Sequence, residues 1–279
     1  MTFNVHKISV AFLSSLLIFN AIILGQEKRE RMHLHHADII SGMTIDQQNI
    51  IRLSGNVEFR QGDARVFCRE ARQYSQQEKT VFTGDVSFTD STKAIYSDIF
   101  TYFERENRFL AISNVRLIDS TKTLSADTLE YFEKRDKVFG RHNVHLLERK
   151  EQIELSGRYI DYDIASGYAQ VSGNPVFTKK DSAEEKVLTI SGKIIESFND
   201  GDSVRVFQDV DIQRGKISAH CEVLTYYQSK GQISLYGAPW AQRVNDRLTG
   251  RLIELSLTNN EVSEIRIVGD AIVTSRVDS

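Results

Sequence analysis

The sequence predicts an all-β chain of about 16 antiparallel strands in eight tandem hairpin repeats, preceded by a hydrophobic N-terminal helix. A short phrase recurs eight times, at intervals of 29 to 35 residues. Apolar and polar residues alternate within each half of the repeat, as they do in strands. After the N-terminal apolar run, no stretch has the 3.6-residue periodicity of a helix. Such a period indicates one supersecondary unit stacked on itself in a single elongated domain.

The N-terminal segment has the pattern of an export signal. A basic pair precedes an apolar run at residues 8–24, which ends at Gly25. This order is typical of a cleaved signal peptide, here residues 1–25. The 17-residue run also lies at the lower limit for a membrane span, so an uncleaved anchor is the alternative. Residues 26–36 are predicted to be a polar linker, and residues 37–279 the β domain.

The repeated phrase begins with an apolar residue, followed by Gly or a small or polar residue, then usually Asn or Asp, and then usually Val. Its first copy runs from Leu53 to Phe59, with Gly55 followed by Asn56 and Val57. The Gly-equivalent positions of the eight copies are 55, 84, 113, 142, 173, 208, 237 and 269. A glycine in the middle of a strand often marks a tight bend. The phrases therefore predict eight bends in register.

The second half of each repeat has its own signature, with copies at residues 124–131 and 155–162. Turn residues separate the two halves at regular places, for example at residues 90–92, 119–121 and 166–167. Two turns in every ~30 residues leave two strands of about ten residues, which consecutive antiparallel hairpins would join.

Strand periodicity assigns the faces of this ribbon. Alternate side chains of a strand point to opposite faces, so the valine of each phrase and the apolar residue two places later share one face. The bends would fold the ribbon over this face and form an apolar trough. The candidate residues of its inner wall are Val57, Phe59, Phe82, Val86, Phe88, Val115, Leu117, Val144, Leu146, Val206, Val210 and Ile212.

The opposite face carries a polar series. Its members are Asn56, Asp85, Asn114, Asn143, Asn174, Asp209 and Asp270. One carboxyl or amide per repeat cannot supply the 6–8 oxygen ligands that Ca²⁺ takes, so stabilisation of the bends is favoured over metal binding. His33, His35 and His36 lie in a charged segment without nearby Cys or spaced carboxylates, which favours a solvated tail over a metal site. No metal is therefore predicted.

The only two prolines and the only two cysteines are informative by position. Pro175 and Pro239 each fall two residues after the Gly position of a phrase, where a missing N–H should open a gap between neighbouring strands. Cys68 and Cys221 are five repeats apart, a separation on the order of 45 Å at ~4.8 Å per strand. A disulfide needs Cα atoms within ~7 Å, so two separate packed thiols are predicted.

Composition excludes several classes of function. A net charge of −3 argues against nucleic-acid binding, which requires a basic face. No nucleophile triad or paired-carboxylate motif is evident in the sequence. We therefore predict no catalytic residues, no cofactor and no enzymatic activity.

Eight phrases in order, alternating with Leu-Ser-Ala-Asp-type half-repeats after an export signal, resemble the OstA-like periplasmic family over residues 37–277. That family includes the lipopolysaccharide-transport proteins LptA and LptC and the N-terminal domain of LptD. The resemblance implies a V-shaped β-jellyroll in the periplasm. It also implies that the apolar interior carries the acyl chains of lipopolysaccharide, or of a related glycolipid, toward the outer membrane. The twelve inner-wall residues then become the predicted lipid-binding groove.

Two alternatives stay open at this point. An inner-membrane-anchored, LptC-like component of the same pathway would retain the N-terminal segment. A structural β-solenoid scaffold would instead have a closed, dry core. The last predicted strand, residues 265–273, is apolar at alternate positions and contains no proline. We expect it to pair edge to edge with another copy or a related protein, the alternative being a covered or frayed terminus.

Overall fold

The structure, a computed structural model, describes residues 32–45, 47–149, 152–163, 165–181, 186–199, 202–258 and 261–275. The predicted signal peptide and its helix lie outside these ranges. The strands of the described residues pair in antiparallel fashion, and their helical content includes two short 3₁₀ turns, Ser75–Gln77 and Glu133–Arg135. The all-β prediction is confirmed. Among the described residues, no helix is long and apolar enough to cross a membrane.

The chain divides into two compact units. Among the described residues, the N-terminal unit comprises 32–149 and 159–163, and the C-terminal unit comprises 152–158 and 165–275. The N-terminal unit contains β1 (His33–His36), β2 (Ile39–Ile45), β3 (Gln48–Gln61), β4 (Ala64–Tyr74), β5 (Lys79–Thr89), β6 (Lys93–Phe103), β7 (Arg108–Asp119), β8 (Lys122–Phe132), β9 (Lys137–Glu148) and the second half of β10 (Ile153–Asp163).

The C-terminal unit contains the first half of β10 and twelve further strands. These are β11 (Tyr168–Ser172), β12 (Val176–Asp181), β13 (Lys186–Ser191), β14 (Ile194–Phe198), β15 (Ser203–Arg214), β16 (Ile217–Tyr227), β17 (Gln232–Tyr236), β18 (Trp240–Arg243), β19 (Asp246–Thr249), β20 (Leu252–Thr258), β21 (Glu261–Val268) and β22 (Ile272–Ser275). In both units, strands joined by short turns pair with one another as hairpins.

Each repeated phrase forms a corner, defined here as two consecutive residues with left-handed backbone. The first corner is Gly55–Asn56, with φ values of +75° and +48°. Ser54 pairs with Glu70 and Val57 with Cys68, so the two corner residues lie opposite one residue of β4. An extra residue of this kind bends a strand. All eight phrases contain such a pair, which confirms the predicted bends.

Some corners need glycine more than others. Gly173 has a φ of +81°, and a Cβ there would lie 2.3 Å from Cβ of Arg158. Ser113 and His142, at the same place in their own repeats, have φ values of +64° and +58°. Those values lie in the ordinary left-handed region, which non-glycine residues adopt occasionally. Glycine is therefore required at Gly173, where a Cβ would clash with Arg158, but not at every corner.

The described residues form 22 strands rather than the predicted 16, because six of the predicted segments are interrupted, three at a corner and three opposite a corner of the paired strand. The interrupted segments are β1/β2, β11/β12, β13/β14, β17/β18, β19/β20 and β21/β22. Two of the gaps contain Pro175 and Pro239, which lack the N–H that a continuous ladder needs. The ladder is therefore interrupted at both prolines, while a separation of neighbouring strands there stays a prediction.

Strand structure begins before the predicted start of the domain. Strand β1 pairs with the end of β3, with Leu34 opposite Phe59, and β2 pairs with the beginning of β3. Residues 33–36 of the predicted linker therefore extend the sheet of the N-terminal unit. Strand β2 remains largely exposed, whereas β3 contributes Leu53 and Val57 to the core.

Candidate functional site

The corners divide the N-terminal unit into two walls. Wall A consists of residues 48–54, 70–74, 79–83, 99–103, 108–112, 128–132 and 137–141, and wall B of residues 57–61, 64–68, 86–89, 93–97, 115–119, 122–126 and 144–148. Aromatic contacts join the walls across the core. Phe59 of wall B meets Phe82 of wall A at 5.3 Å between ring centroids, and Phe88 of wall B meets Phe100 of wall A at 6.3 Å.

The structure places the predicted groove residues on the inner faces of the two units. Nine of the twelve lie in the N-terminal unit, and all nine are buried there. Val206, Val210 and Ile212 lie in the C-terminal unit, where the two valines are buried and Ile212 is half-buried. In the N-terminal unit, the protein's own side chains fill the space between walls A and B.

Sequence reasoning missed the inner residues of the even-numbered strands. Val57, Val86 and Val115 pair across strands with Cys68, Ser97 and Ala126 respectively. The inner face also includes Ala71, Ile95, Phe100, Leu124, Leu129 and Tyr131. In β8 the buried positions 124, 126, 129 and 131 follow a spacing of two, three and two. That break in alternation is the signal that could have identified them.

Polar pairs stabilise the outside of the corners. Asn114 donates through Nδ2 to Asp98 at 2.8 Å, and Asn143 donates in the same way to Asp127 at 2.9 Å. At two corners with an aspartate the partner is an arginine, as in Arg69–Asp85 at 3.0 Å and Arg251–Asp270 at 3.5 Å. A cleft of about 590 Å³ lies beside these pairs, between residues 85 and 143. The corner partners are thus chemically matched.

The described residues include no group of three or more His, Cys, Asp or Glu placed to hold a metal ion. The polar pairs act instead within the protein, since each carboxylate of the Asn–Asp pairs accepts from a neighbouring amide. Such bonds satisfy polar groups at the bends, where backbone ladders are interrupted.

Both cysteines are free and buried, as predicted. Cys68 donates a hydrogen bond through Sγ to the carbonyl oxygen of Glu70 at 3.2 Å. Burial raises the pKa of each thiol to about 12. Because the thiolate is the reactive form, both groups should be inert while their surroundings stay closed. Cys68 belongs to the N-terminal unit and Cys221 to the C-terminal unit.

Wall B has a polar margin at the end farthest from the corners. Strands β5 and β6 are joined there by Asp90-Ser-Thr-Lys93, and β7 and β8 by Asp119-Ser-Thr-Lys122. Oδ1 of Asp90 accepts hydrogen bonds from the backbone N–H of Thr92 and Lys93 and from the Thr92 hydroxyl, at 2.7–3.0 Å. Asp119 makes the equivalent three bonds. The two turns are therefore built alike.

The lysines that follow these turns face inward. Lys122 alternates with Leu124 and Ala126, both buried on the inner face, and is itself only 6% exposed. Directly opposite Lys122 on β9 is Glu148, which is 3% exposed. In the same way Lys93 lies opposite Asp119. We call Lys93, Asp119, Lys122 and Glu148 the seam row.

Burial and charge both act on this margin. Burial lowers the pKa of Lys93, and the charges of Asp90 and Asp119 oppose that effect. Burial alone would raise the pKa of Asp90, but the hydrogen bonds from Thr92 and Lys93 outweigh it and lower that pKa. The corresponding margin of wall A carries hydroxyls, with Thr80 opposite Tyr102. At these strands the inner face thus changes from apolar near the corners to polar at the margin.

Comparison with known proteins identifies the family of this chain. The description "OstA-like protein" belongs to the family whose model matches residues 29–131 and 75–183, which together span more than half of the chain. A search of curated proteins gave no match. One similar solved structure is that of LptH from Pseudomonas aeruginosa, the LptA homologous periplasmic component of a lipopolysaccharide transport device. LptH and this chain are 12% identical. The matched region covers 77% of this chain and 95% of LptH, with a TM-score of 0.21. On the family match, this chain belongs to the OstA-like family.

Proposed function

We propose that this protein is a non-enzymatic periplasmic lipid carrier that binds the acyl chains of lipopolysaccharide and passes them toward the outer membrane. The observation that carries the proposal is the repeated apolar inner face, in a chain of the OstA-like family. Val86, Val115 and Val144 occupy the same position in consecutive repeats, and all three are buried. Successive repeats would therefore offer a lipid chain equivalent sites.

Equivalent sites suit transport. Burying a methylene stabilises by ~0.8 kcal/mol, so full enclosure of a chain of roughly twelve carbons would stabilise it by about 9 kcal/mol. A ligand held so tightly at one place would leave slowly. When the next repeat offers the same apolar surface, the chain can move along without crossing the full free-energy difference between protein and water. Net direction can then come from an energy source outside this protein.

The twelve predicted groove residues remain the candidate lipid contacts. In the N-terminal unit their side chains pack against one another, so acyl chains would have to separate the two walls to reach them. The site requires no nucleophile and no cofactor for this role. Contact with the acyl chains rests on packing and on the exclusion of water.

A photo-crosslinking experiment tests the proposal. A photoreactive phenylalanine analogue at Phe88, which is buried on the inner face, should capture lipopolysaccharide in cells that export it. The matched control is Phe67, which is 40% exposed on the outer face of the neighbouring strand. We expect at least ~10-fold more lipid adduct at Phe88, because only that position contacts the transported acyl chains. Equal labelling at the two positions would contradict the proposal.

The main competing function is a structural scaffold with a closed core. It is favoured by the complete burial of inner residues such as Val57 and Phe82. The same crosslinking experiment separates the two functions, since a scaffold should give no adduct at Phe88. Cleavage of the N-terminal segment at Gly25 would distinguish a soluble carrier, which loses the segment, from an anchored, LptC-like component, which retains it.

We further propose that the terminal edges pair with other copies or with related OstA-like proteins. In the described residues, β22 pairs with β19 and β2 with β3, and each leaves its other edge open. Both strands expose apolar side chains: Ile40 is 61% exposed and Ile272 57% exposed. An open apolar edge is a template for another strand.

V273P tests this pairing. Proline removes a donor from β22 and should weaken edge pairing without entering the core, since Val273 is 56% exposed. We expect the concentration for half-maximal self-association to rise at least ~10-fold, measured by light scattering. V273T is the control and should assemble like the parent. A parent that stays monomeric at all concentrations would rule out self-pairing.

A further inference from the structure

One inner row of the C-terminal unit alternates between aliphatic and basic side chains. It lies near the strand ends farthest from the corners, and its members pair directly across neighbouring strands in the order Ile153, Lys179, Leu188, Arg214, Ile217 and Arg243. We call Lys179, Arg214 and Arg243 the basic row. Neighbouring strands are ~4.8 Å apart, so the backbones of consecutive cations in this row lie about 10 Å from each other.

The basic row borders an apolar one on the same face. The next row toward the corners, which we call the apolar row, consists of Phe177, Ile190, Ile212, Ala219 and Ala241. Phe177, Ile190 and Ala219 are buried. Each cation of the basic row lies two positions after a member of the apolar row on its own strand, so both rows share the inner face.

Arg214 is the most buried member of the basic row, at 7% exposure. Its direct neighbours on the adjacent strands are Leu188 and Ile217. No described residue accepts a hydrogen bond from Nη1 of Arg214, although the residue does have an interaction partner. A guanidinium presents five N–H donors in a planar fork, which matches the oxygens of a phosphate. Arg214 therefore brings a phosphate-binding group to the inner face.

The seam row of the N-terminal unit shows what the basic row lacks. In the seam row each lysine has a carboxylate directly opposite on the following strand. In the basic row, aliphatic residues occupy the directly paired positions beside Lys179 and Arg214, and Asp246 lies opposite Arg243. The directly paired positions of this margin therefore carry more cations than carboxylates.

We propose that the basic row binds the phosphate groups of an anionic lipid headgroup while the apolar row contacts its acyl chains. The proposal rests on the proposed function and adds the headgroup chemistry that the carrier selects. Phosphate oxygens accept charge-assisted hydrogen bonds from Arg214, and the flanking cations add further positive charge. Because the cations recur at every second strand, a headgroup can pass from one to the next as its acyl chains move along the apolar row.

The binding of two lipids to the full-length protein tests this proposal. The probes are bisphosphorylated lipid A and the same lipid A with both phosphates removed, so the acyl chains stay constant. The test variants are R214Q, R214K and K179Q/R243Q, the last of which changes a half-buried and an exposed position. The control K180Q/R205Q removes two cations from exposed positions on the outer side of β12 and β15.

We expect the parent to bind bisphosphorylated lipid A at least ~10-fold more tightly than the phosphate-free form. R214Q and K179Q/R243Q should each lower the affinity for the bisphosphorylated form by about 10-fold, and that for the phosphate-free form by less than about twofold. R214K should lie between the parent and R214Q, because an ammonium keeps the charge but loses the bidentate fork. The control should stay within about twofold of the parent for both lipids.

The outcomes separate this proposal from the proposed function. If the parent binds both lipids equally, or if the control loses as much affinity as the test variants, the basic row is not a phosphate site, while the carrier function stands. If the parent binds neither lipid, the carrier function fails as well. Excess inorganic phosphate should displace little bound lipid A, and full displacement would overturn the assignment to a lipid headgroup. Circular dichroism checks folding, and K179Q/R243Q decides the result if R214Q does not fold.

Discussion

Replacing Phe82 with alanine should lower the free energy of unfolding by about 3–5 kcal/mol, the range for a buried aromatic side chain. Phe82 is fully buried, and its ring contacts Phe59 at 5.3 Å and Phe100 at 6.0 Å. The substitution removes a contact between the walls as well as one within wall A. Because backbone hydrogen bonds fix the strands around it, the cavity can close only partly.

Urea unfolding followed by far-ultraviolet circular dichroism measures this effect. F67A is the matched control: it removes the same atoms from an outward position on β4 and should change the free energy by less than ~0.5 kcal/mol. A loss below ~1 kcal/mol for F82A would mean that the two walls are not packed together in solution.

V144D should have an effect of similar or larger size, because it places a carboxylate on the buried inner face. Val144 is 3% exposed and packs beside Gly140. An unpartnered charge there should lower the free energy of unfolding by about 4 kcal/mol or more at neutral pH. The asparagine of V144N has nearly the same shape as the aspartate of V144D but carries no charge. The difference between the two variants therefore isolates the cost of the charge.

That difference should depend on pH in one direction. Burial raises the pKa of the new carboxyl in the folded state above its unfolded value of ~3.9. Above the folded-state pKa the carboxyl is ionised in both states, and V144D is at its greatest disadvantage. As pH falls through the folded pKa toward ~3.9, the disadvantage relative to V144N should disappear. A difference that stays constant from pH 7 to pH 4 would show that position 144 is open to water.

The corners and one set of inner residues could be predicted because the relevant signals are local. Gly55 and Asn56 are residue types that tolerate left-handed backbone, and their recurrence marks the bend directly. Val57 and Phe59 follow the corner with simple strand alternation. Their burial therefore followed from sequence periodicity alone.

The partner strands were harder to predict, because their alternation breaks at the corner. In β8, Ala126 and Leu129 are both buried although three positions separate them. Asp127 lies opposite a corner on each side, so β8 has to change phase there. Register between strands determines this shift, and register is a non-local property. Uniform alternation would assign one half of the strand to the wrong face.

The seam row escaped prediction for a related reason. Lysine and glutamate next to turn residues are typical of solvated loops. Only the cross-strand register places Lys122 beside Glu148, and only the fold buries them. The strand interruptions in the C-terminal unit also depend on tertiary context, since Gly192 and Gly250 break strands although no proline is near them in sequence.

The corner bonds have a consequence for how such chains can change in length. Asn114 and Asp98 are 16 residues apart, as are Asn143 and Asp127, so each bond closes between adjacent strands. Duplication or deletion of a complete 29-residue segment would carry both partners along and leave the remaining bonds intact. Genetic gain or loss of whole segments could thus lengthen or shorten the molecule while its local rules stay the same.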